Sequence, residues 1–234
     1  MQKKIKIVPV KRSLKPYYEE DGIVIYHGDS MKIMPSLEYK GFDLVLTDIP
    51  YGVVNRKDNG LRNLDKKDAD TCTYSESDIA KQLSTICKGS VYIFCGTEQV
   101  SQLRESLVEE KMTTRLIIWE KTNPSPMNGQ YIWLSGVECC VFGKHKGAVF
   151  NEHCKNSVIK FSCGRGKKHP TEKPLKMFEY LTQVSSNESD LILDPFMGSG
   201  TTLVAAKKLG RKAIGIELSK EYCDIAIQRL NEIK

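Results

Sequence analysis

Four consecutive residues, Asp48-Ile49-Pro50-Tyr51, place a carboxylate, a backbone carbonyl and a phenol ring within one tight turn. They follow the apolar run Phe42-Asp43-Leu44-Val45-Leu46-Thr47, so the group stands at the carboxyl end of a strand, where open α/β sheets bind their ligands. The set suits a particular chemistry. The exocyclic amine of adenine or cytosine is a poor nucleophile because its lone pair is delocalised into the ring. Two acceptors on its hydrogens, the Asp48 carboxylate and the Ile49 carbonyl, can draw the nitrogen toward tetrahedral geometry and stabilise the positive charge that develops as it forms a bond. Pro50 fixes the turn and brings no N–H to compete for the site. Tyr51 offers a flat face on which a base swung out of a helix can stack. In isolation, the same four residues would read more simply as a strand end with a capping acid and an edge-packed ring.

A second group lies nearer the carboxyl terminus. The run Leu191-Ile192-Leu193-Asp194-Pro195-Phe196-Met197-Gly198-Ser199-Gly200-Thr201-Thr202 reads as a buried strand, a glycine-rich turn and the start of a helix. Gly198 and Gly200 let the backbone turn sharply and approach a ligand. The helix amino terminus near Thr201 offers N–H groups to a carboxylate or phosphate. Glu217 ends the following strand, a little over twenty residues after Asp194, a spacing at which an acid reaches the two hydroxyls of a ribose. The Walker lysine of an NTPase is missing, as is the third glycine of a dinucleotide site. S-adenosylmethionine fits better, since it has a ribose for Glu217 and a carboxylate for the helix end but no pyrophosphate.

The elements that must position these groups alternate along the chain. Apolar runs predict strands at residues 22–26, 42–47, 90–95, 115–120, 138–142, 191–193 and 212–216. Amphipathic stretches predict helices at 77–86, 97–110, 174–185, 201–209 and 220–233. The expected fold is therefore α/β, with a mixed, mostly parallel seven-stranded sheet and helices on both faces. At 234 residues, 40% hydrophobic and 27% charged, the chain suits one domain, with a catalytic half at about 22–142 and a cofactor half at about 169–234. Two stretches break the alternation: 52–74, a candidate mobile loop, and 123–169, within which 143–168 is a candidate recognition insertion. No stretch is apolar enough to span a bilayer and the amino terminus has no signal core, so a cytoplasmic protein is expected. The eight cysteines contain no Cys-x-x-Cys pair and are read as reduced thiols. His145, His153, Cys154, Cys163 and His169 match no zinc spacing, and no metal site is expected.

Three motifs together carry a family resemblance. Asp48-Ile49-Pro50-Tyr51, Asp194-Pro195-Phe196-Met197-Gly198-Ser199-Gly200-Thr201-Thr202 and His169-Pro170-Thr171-Glu172-Lys173-Pro174 resemble the amino methyltransferases of bacterial and phage DNA, which act at adenine N6 or cytosine N4. The catalytic tetrapeptide precedes the cofactor motif, as in the beta class of that family. The resemblance covers nearly the whole chain. It implies a Rossmann-like methyltransferase fold, S-adenosylmethionine as cofactor, and direct methyl transfer to a flipped-out base without a cysteine nucleophile. It also implies roles that spacing does not give: Thr171 and Lys173 near the methionine end of the cofactor, and Asp29, in Gly28-Asp29-Ser30, at its adenine. The remaining cofactor contacts are expected from Asp194, Phe196, Gly198, Ser199, Gly200, Thr201 and Glu217. Ile49 departs from the family's usual proline, a change that leaves the carbonyl in place. Asp in first position resembles the adenine N6 enzymes more than the cytosine N4 enzymes.

DNA is the partner this resemblance requires. The net charge of +6 is modest, but residues 143–168 hold seven Lys or Arg against one acid, Glu152. Lys144, Lys146, Lys155, Arg165, Lys167 and Lys168 are therefore candidate phosphate contacts, with Arg56 near the root of the 52–74 loop. Many beta-class relatives form dimers, so a homodimer and a partner restriction endonuclease are further associates the resemblance raises. Three other readings stand beside adenine N6 methylation: cytosine N4 methylation, methylation of a glutamine amide or of RNA, and a non-catalytic DNA-binding subunit that keeps the fold. The glutamine-methylating relatives prefer Asn at position 48 and place the cofactor motif first.

Overall fold

A computed structural model describes residues 14–37, 41–51, 74–126, 129–164 and 173–233. Their strands are β1 (Tyr18–Glu20), β2 (Ile23–His27), β3 (Phe42–Asp48), β4 (Cys87–Cys95), β5 (Thr113–Lys121), β6 (Val137–Lys144), β7 (Val158–Phe161), β8 (Leu191–Asp194) and β9 (Lys212–Glu217). The helices are α1 (Ser30–Ile33), α2 (Glu76–Ile86), α3 (Val100–Glu109), α4 (Leu175–Ser185), α5 (Thr201–Lys208) and α6 (Lys220–Asn231). The strands form one sheet in the order β1-β2-β9-β8-β3-β4-β6-β5-β7.

Neighbours from β2 to β4 are parallel, and β6 runs against both β4 and β5. The buried strands alternate their side chains between two apolar layers, as a period of two requires. Val45, Val91 and Ile214 face α1, α2 and α3, while Leu44, Leu46, Ile192 and Ala213 face α4, α5 and α6. Each long helix presents one apolar stripe to its layer, for example Ile79, Leu83 and Ile86 on α2 and Met177, Phe178 and Leu181 on α4. The α2 stripe begins cleanly because Ser75 and Asp78 cap it reciprocally.

All seven expected strands are present, and the sheet carries two more. Both extra strands lie at edges. β1 has two exposed residues of three, and β7 alternates exposed with half-buried positions, so neither has the apolar run that marks a strand buried on both faces. Parts of the stretch 143–168 belong to the sheet. Gly143 and Lys144 end β6, and residues 158–161 pair in parallel with β5 as part of the sheet. The candidate loop at 52–74 lies outside the described residues except for Tyr74. No described helix is long and apolar enough to cross a membrane.

The connection from β3 through α2 moves to β4 on one side, and that from β8 through α5 moves to β9 on the other. β3 and β8 are themselves neighbours, so the strand order reverses between them. Their carboxyl ends, Asp48 and Asp194, border the crevice where a doubly wound sheet binds ligands.

Candidate active site

At the end of β3 the chain continues one step of the sheet ladder, with Ile49 N–H donating to Phe94 O at 3.1 Å. The Ile49 side chain is buried, which anchors the turn and leaves the work at this position to the backbone. The carbonyl of Pro50 accepts from Gln99 Nε2 at 3.1 Å, and the same amide nitrogen donates to Glu76. Gln99 is itself buried, and its Oε1 accepts from Gly96 N–H. The tetrapeptide is thus held from two sides before its side chains are considered.

Those side chains meet Lys173, only 8% exposed. Its Nζ lies 2.6 Å from Asp48 Oδ2, 3.0 Å from Glu138 Oε2 and 3.2 Å from Tyr51 Oη. An ammonium has three donors, and three acceptors surround this one. The aromatic faces of Tyr51 and Phe94 lie 5.3 and 5.7 Å from the same nitrogen. Glu138, the second residue of β6, turns its other oxygen to Lys121 Nζ at 2.8 Å. Burial alone would lower the Lys173 pKa, but Asp48 and Glu138 hold it above the ordinary lysine value. Burial also opposes Glu138, yet Lys173 and Lys121 keep it below the usual carboxylate value. For Asp48, burial prevails over Lys173 and lifts the carboxyl above its ordinary range. Burial likewise raises the Tyr51 phenol, with Asp48 and Glu138 adding to the effect. The second oxygen of Asp48, Oδ1, is buried and takes no hydrogen bond among the described residues. Leaving such an acceptor unmet costs about 1–3 kcal/mol, a cost that a donor entering the crevice recovers.

The cofactor-half residues converge on the adjoining strand ends. Glu217 ends β9 and accepts from Gly198 N–H at 3.0 Å and Ser219 N–H at 2.7 Å. Gly198 and Gly200 both adopt left-handed backbone, φ +51° and +80°. A Cβ on Gly198 would point into open space, whereas one on Gly200 would strike Ala226 Cβ at 2.8 Å. The first glycine therefore keeps the turn low beneath a space, and the second lets α5 pack on α6. Arg229 Nη1 on α6 binds Ser199 O, Ser199 Oγ and Thr201 Oγ1, and Phe196 packs half-buried on the α1–α3 layer. Asp29 lies one residue beyond Gly28, whose N–H donates to Glu217 O. It caps α1 by accepting Met31 N–H at 3.0 Å, and it receives Tyr74 Oη at 3.3 Å.

Two of the candidate residues find their partners within the protein. Asp194 is enclosed: Oδ1 accepts from Thr47 and from Phe196 N–H, and Oδ2 from Thr202. Its carboxylate holds the turn together and ties it to β3. Lys173, the candidate for the cofactor's methionine end, docks on the catalytic residues, where two carboxylates compensate its burial.

The basic candidates divide. Lys144 pairs in register with Ser90 at the amino end of β4, six residues and about 20 Å along β6 from Glu138 at ~3.3 Å per residue. Lys146 follows it, and Lys155, paired with Glu152 at 3.3 Å, precedes β7, whose first residue pairs with Ile118 and so lies level with Cys139. The antiparallel β6 carries Lys144 and Lys146 away from the crevice. Thr171, Arg56, Arg165, Lys167 and Lys168 lie outside the described residues. What sequence reasoning missed is at the crevice end. Glu138, Lys121 and Gln99 carry no motif, and the one available signal was a charged residue near the start of an otherwise apolar strand. The β5–β6 connection, tied at its base by Lys121 N–H to Gly136 O, exposes Tyr131, Ile132, Trp133 and Leu134, with Trp133 95% exposed.

The chain is similar to known proteins. The N6/N4 methyltransferase family model, described as DNA methylase, matches residues 42–228. The type II methyltransferases M2.LlaDCHI of Lactococcus lactis subsp. cremoris and M2.DpnII of Streptococcus pneumoniae are each 29% identical, over 93% and 92% of this chain and the same shares of their own. The crystal structure of the M1.HpyAVI-SAM complex superposes with a TM-score of 0.71 at 30% identity, covering 89% of this chain and all of that one. The cytosine-N4-specific PvuII DNA methyltransferase shares the fold, with a TM-score of 0.74 at 19% identity. The crevice at the β3–β8 switch point, its Asp48–Lys173 centre and the span of these matches lead to one statement of kinship: the chain belongs to the N6/N4 DNA methylase family.

Proposed function

We propose that this protein transfers a methyl group from S-adenosylmethionine directly to N6 of a flipped-out adenine in DNA. The observation that carries this reading is the division of labour within Asp48, whose Oδ2 is gripped by Lys173 while Oδ1 waits without a donor. An amine N–H fills that vacancy, and the Ile49 carbonyl takes the second hydrogen. Tyr51 supplies the stacking face, its tip fixed by Lys173 and Glu138. As the nitrogen gains its new bond it becomes cationic and must shed one proton. Asp48, held above the ordinary carboxylate range by burial, is suited to take it. Burial pushes the Cys95 thiol up to about 12 and raises Cys140 well above its ordinary value, so the nearby thiols stay protonated and offer no covalent nucleophile.

The residues present fit the cofactor. The open space above Gly198, the acid Glu217 ending β9, and Asp29 beside it would hold the nucleoside, and the start of α5, which has no side-chain cap, would receive the carboxylate. Bound there, S-adenosylmethionine supplies an electrophilic methyl on a sulfonium. On the DNA side, the exposed Tyr131-Ile132-Trp133-Leu134 segment replaces Lys144 and Lys146 as the contact expected to lie against the duplex, because it is rooted at the crevice end of the sheet.

The test is transfer of tritiated methyl from S-adenosylmethionine to mixed-sequence DNA, followed by nucleoside chromatography. Label in N6-methyladenine is expected. Label in N4-methylcytosine would replace the base assignment, and an absence of label in DNA would overturn the reading.

A further inference from the structure

The two cations and two carboxylates around the catalytic turn alternate: Lys121, Glu138, Lys173, Asp48, linked at 2.8, 3.0 and 2.6 Å. Of the four, Asp48 ends the strand that borders the crevice. The ammonium of Lys173 has two opposed effects on that residue. It fixes the carboxylate's orientation through Oδ2, and by pairing with it alone it would drain the negative charge that Oδ1 needs to accept a hydrogen bond. Glu138 relieves this conflict by taking a share of the same ammonium. Its Oε2 also accepts from Tyr51 Oη at 3.4 Å, so one oxygen aligns both the acceptor's counter-ion and the stacking ring. Lys121 in turn holds Oε1 and keeps Glu138 from swinging toward the crevice.

We propose that Glu138 is a positioning residue for methyl transfer, dividing the Lys173 charge so that Asp48 keeps a free oxygen that accepts strongly from the substrate amine. This rests on Asp48 being that acceptor. Among the described residues, the charged and titratable groups that face the cluster are Asp48 from β3, Tyr51 from the turn, Cys95 from β4 and Glu98 just beyond it, Lys121 from β5, Cys139 and Cys140 from β6, Lys173, and Asp194 from β8, on whose carboxyl Asp48 acts. Among these, Glu138 raises the Asp48 pKa, in addition to the larger effect of burial. Removing its charge should therefore move the acid limb of the pH–rate profile to lower pH. Removing the charge of Lys121 leaves Glu138 less compensated and should move the same limb to higher pH.

The experiment measures single-turnover methyl transfer against pH for the wild type, Glu138→Gln, Glu138→Asp and Lys121→Met. Expected are a fall in rate of about 10- to 100-fold for Glu138→Gln with cofactor affinity unchanged, partial recovery in Glu138→Asp, and acid limbs displaced in opposite directions for Glu138→Gln and Lys121→Met. Rates within twofold of wild type, or acid limbs that stay put or shift the same way, overturn the proposal. If Glu138→Gln does not fold, Lys121→Met and Glu138→Asp carry the test, since both keep a carboxylate for Lys173. A wild-type protein that labels no DNA refutes the methyl-transfer reading itself, which separates that failure from this one.

Discussion

Asp48 and Asp194 end neighbouring parallel strands on the two sides of one crevice, and each leads into a proline-containing turn. Their surroundings divide them. All the bonding capacity of Asp194 that the structure uses is met from within: Thr47 from the adjoining strand, Thr202 from α5, and the N–H of Phe196. Asp48 is met on one oxygen only, by an ammonium, and its other oxygen is buried without a donor. A carboxylate whose partners are complete holds structure, and one left half-satisfied at a strand end is prepared for a ligand. Sequence position could not tell the two apart, but the inventory of donors does.

The comparison breaks most sharply at Asp48. Asp48→Ala should lower methyl transfer about 10³-fold or more, a loss on the scale of removing a preorganised transition-state contact, while calorimetry finds cofactor binding retained. Turnover within tenfold of wild type would return Asp48 to the role of a capping acid.

At Asp194 the expected effect is on stability and its pH dependence. Burial pushes this carboxyl up to about 7 from 3.8, against the lowering influence of its Thr202, Thr47 and Phe196 bonds. A pKa raised in the folded state means the folded protein binds the proton more tightly than the unfolded chain. The resulting stabilisation is full below pH 3.8 and is lost as pH rises through about 7. Relative to Asp194→Asn, the wild type should therefore lose roughly 2–4 kcal/mol of stability between pH 4 and pH 8, read by denaturant melts of the free protein. Parallel curves for the two proteins would remove the distinction from Asp48.

The smallest effects separate the two ends of the sheet. Trp133→Ala should weaken DNA binding about tenfold, as expected for one lost aromatic stacking contact. The pair Lys144→Ala and Lys146→Ala should leave both affinity and its salt slope unchanged. Anisotropy titrations at several salt concentrations measure both. A flattened slope in the double lysine variant would restore the basic stretch as the DNA contact.

Much of this molecule was legible before folding. β2, β3, β4, β8 and β9 are buried on both faces and so appear as unbroken apolar runs. The edges β1 and β7 are half-exposed and mixed in character, and they were hidden for that reason. The glycines of the β8–α5 turn identified themselves because a left-handed backbone is open to few other residues. Glu138 did not, since a glutamate near the start of a strand is ordinary until the strand's neighbours are known. Where Lys144 lies was not legible, because charge along a sequence carries no direction, and β6 runs away from the crevice.

The sequence by itself determined the kind of sheet, the cofactor turn and the catalytic tetrapeptide, because each is written in contiguous residues whose spacing mirrors local backbone geometry. Only the tertiary structure decided which aspartate is free to act, which lysine faces it and which charges lie too far away. Those outcomes depend on strand order and direction, which bring residues as distant as Asp48, Glu138 and Lys173 within hydrogen-bonding reach of one nitrogen.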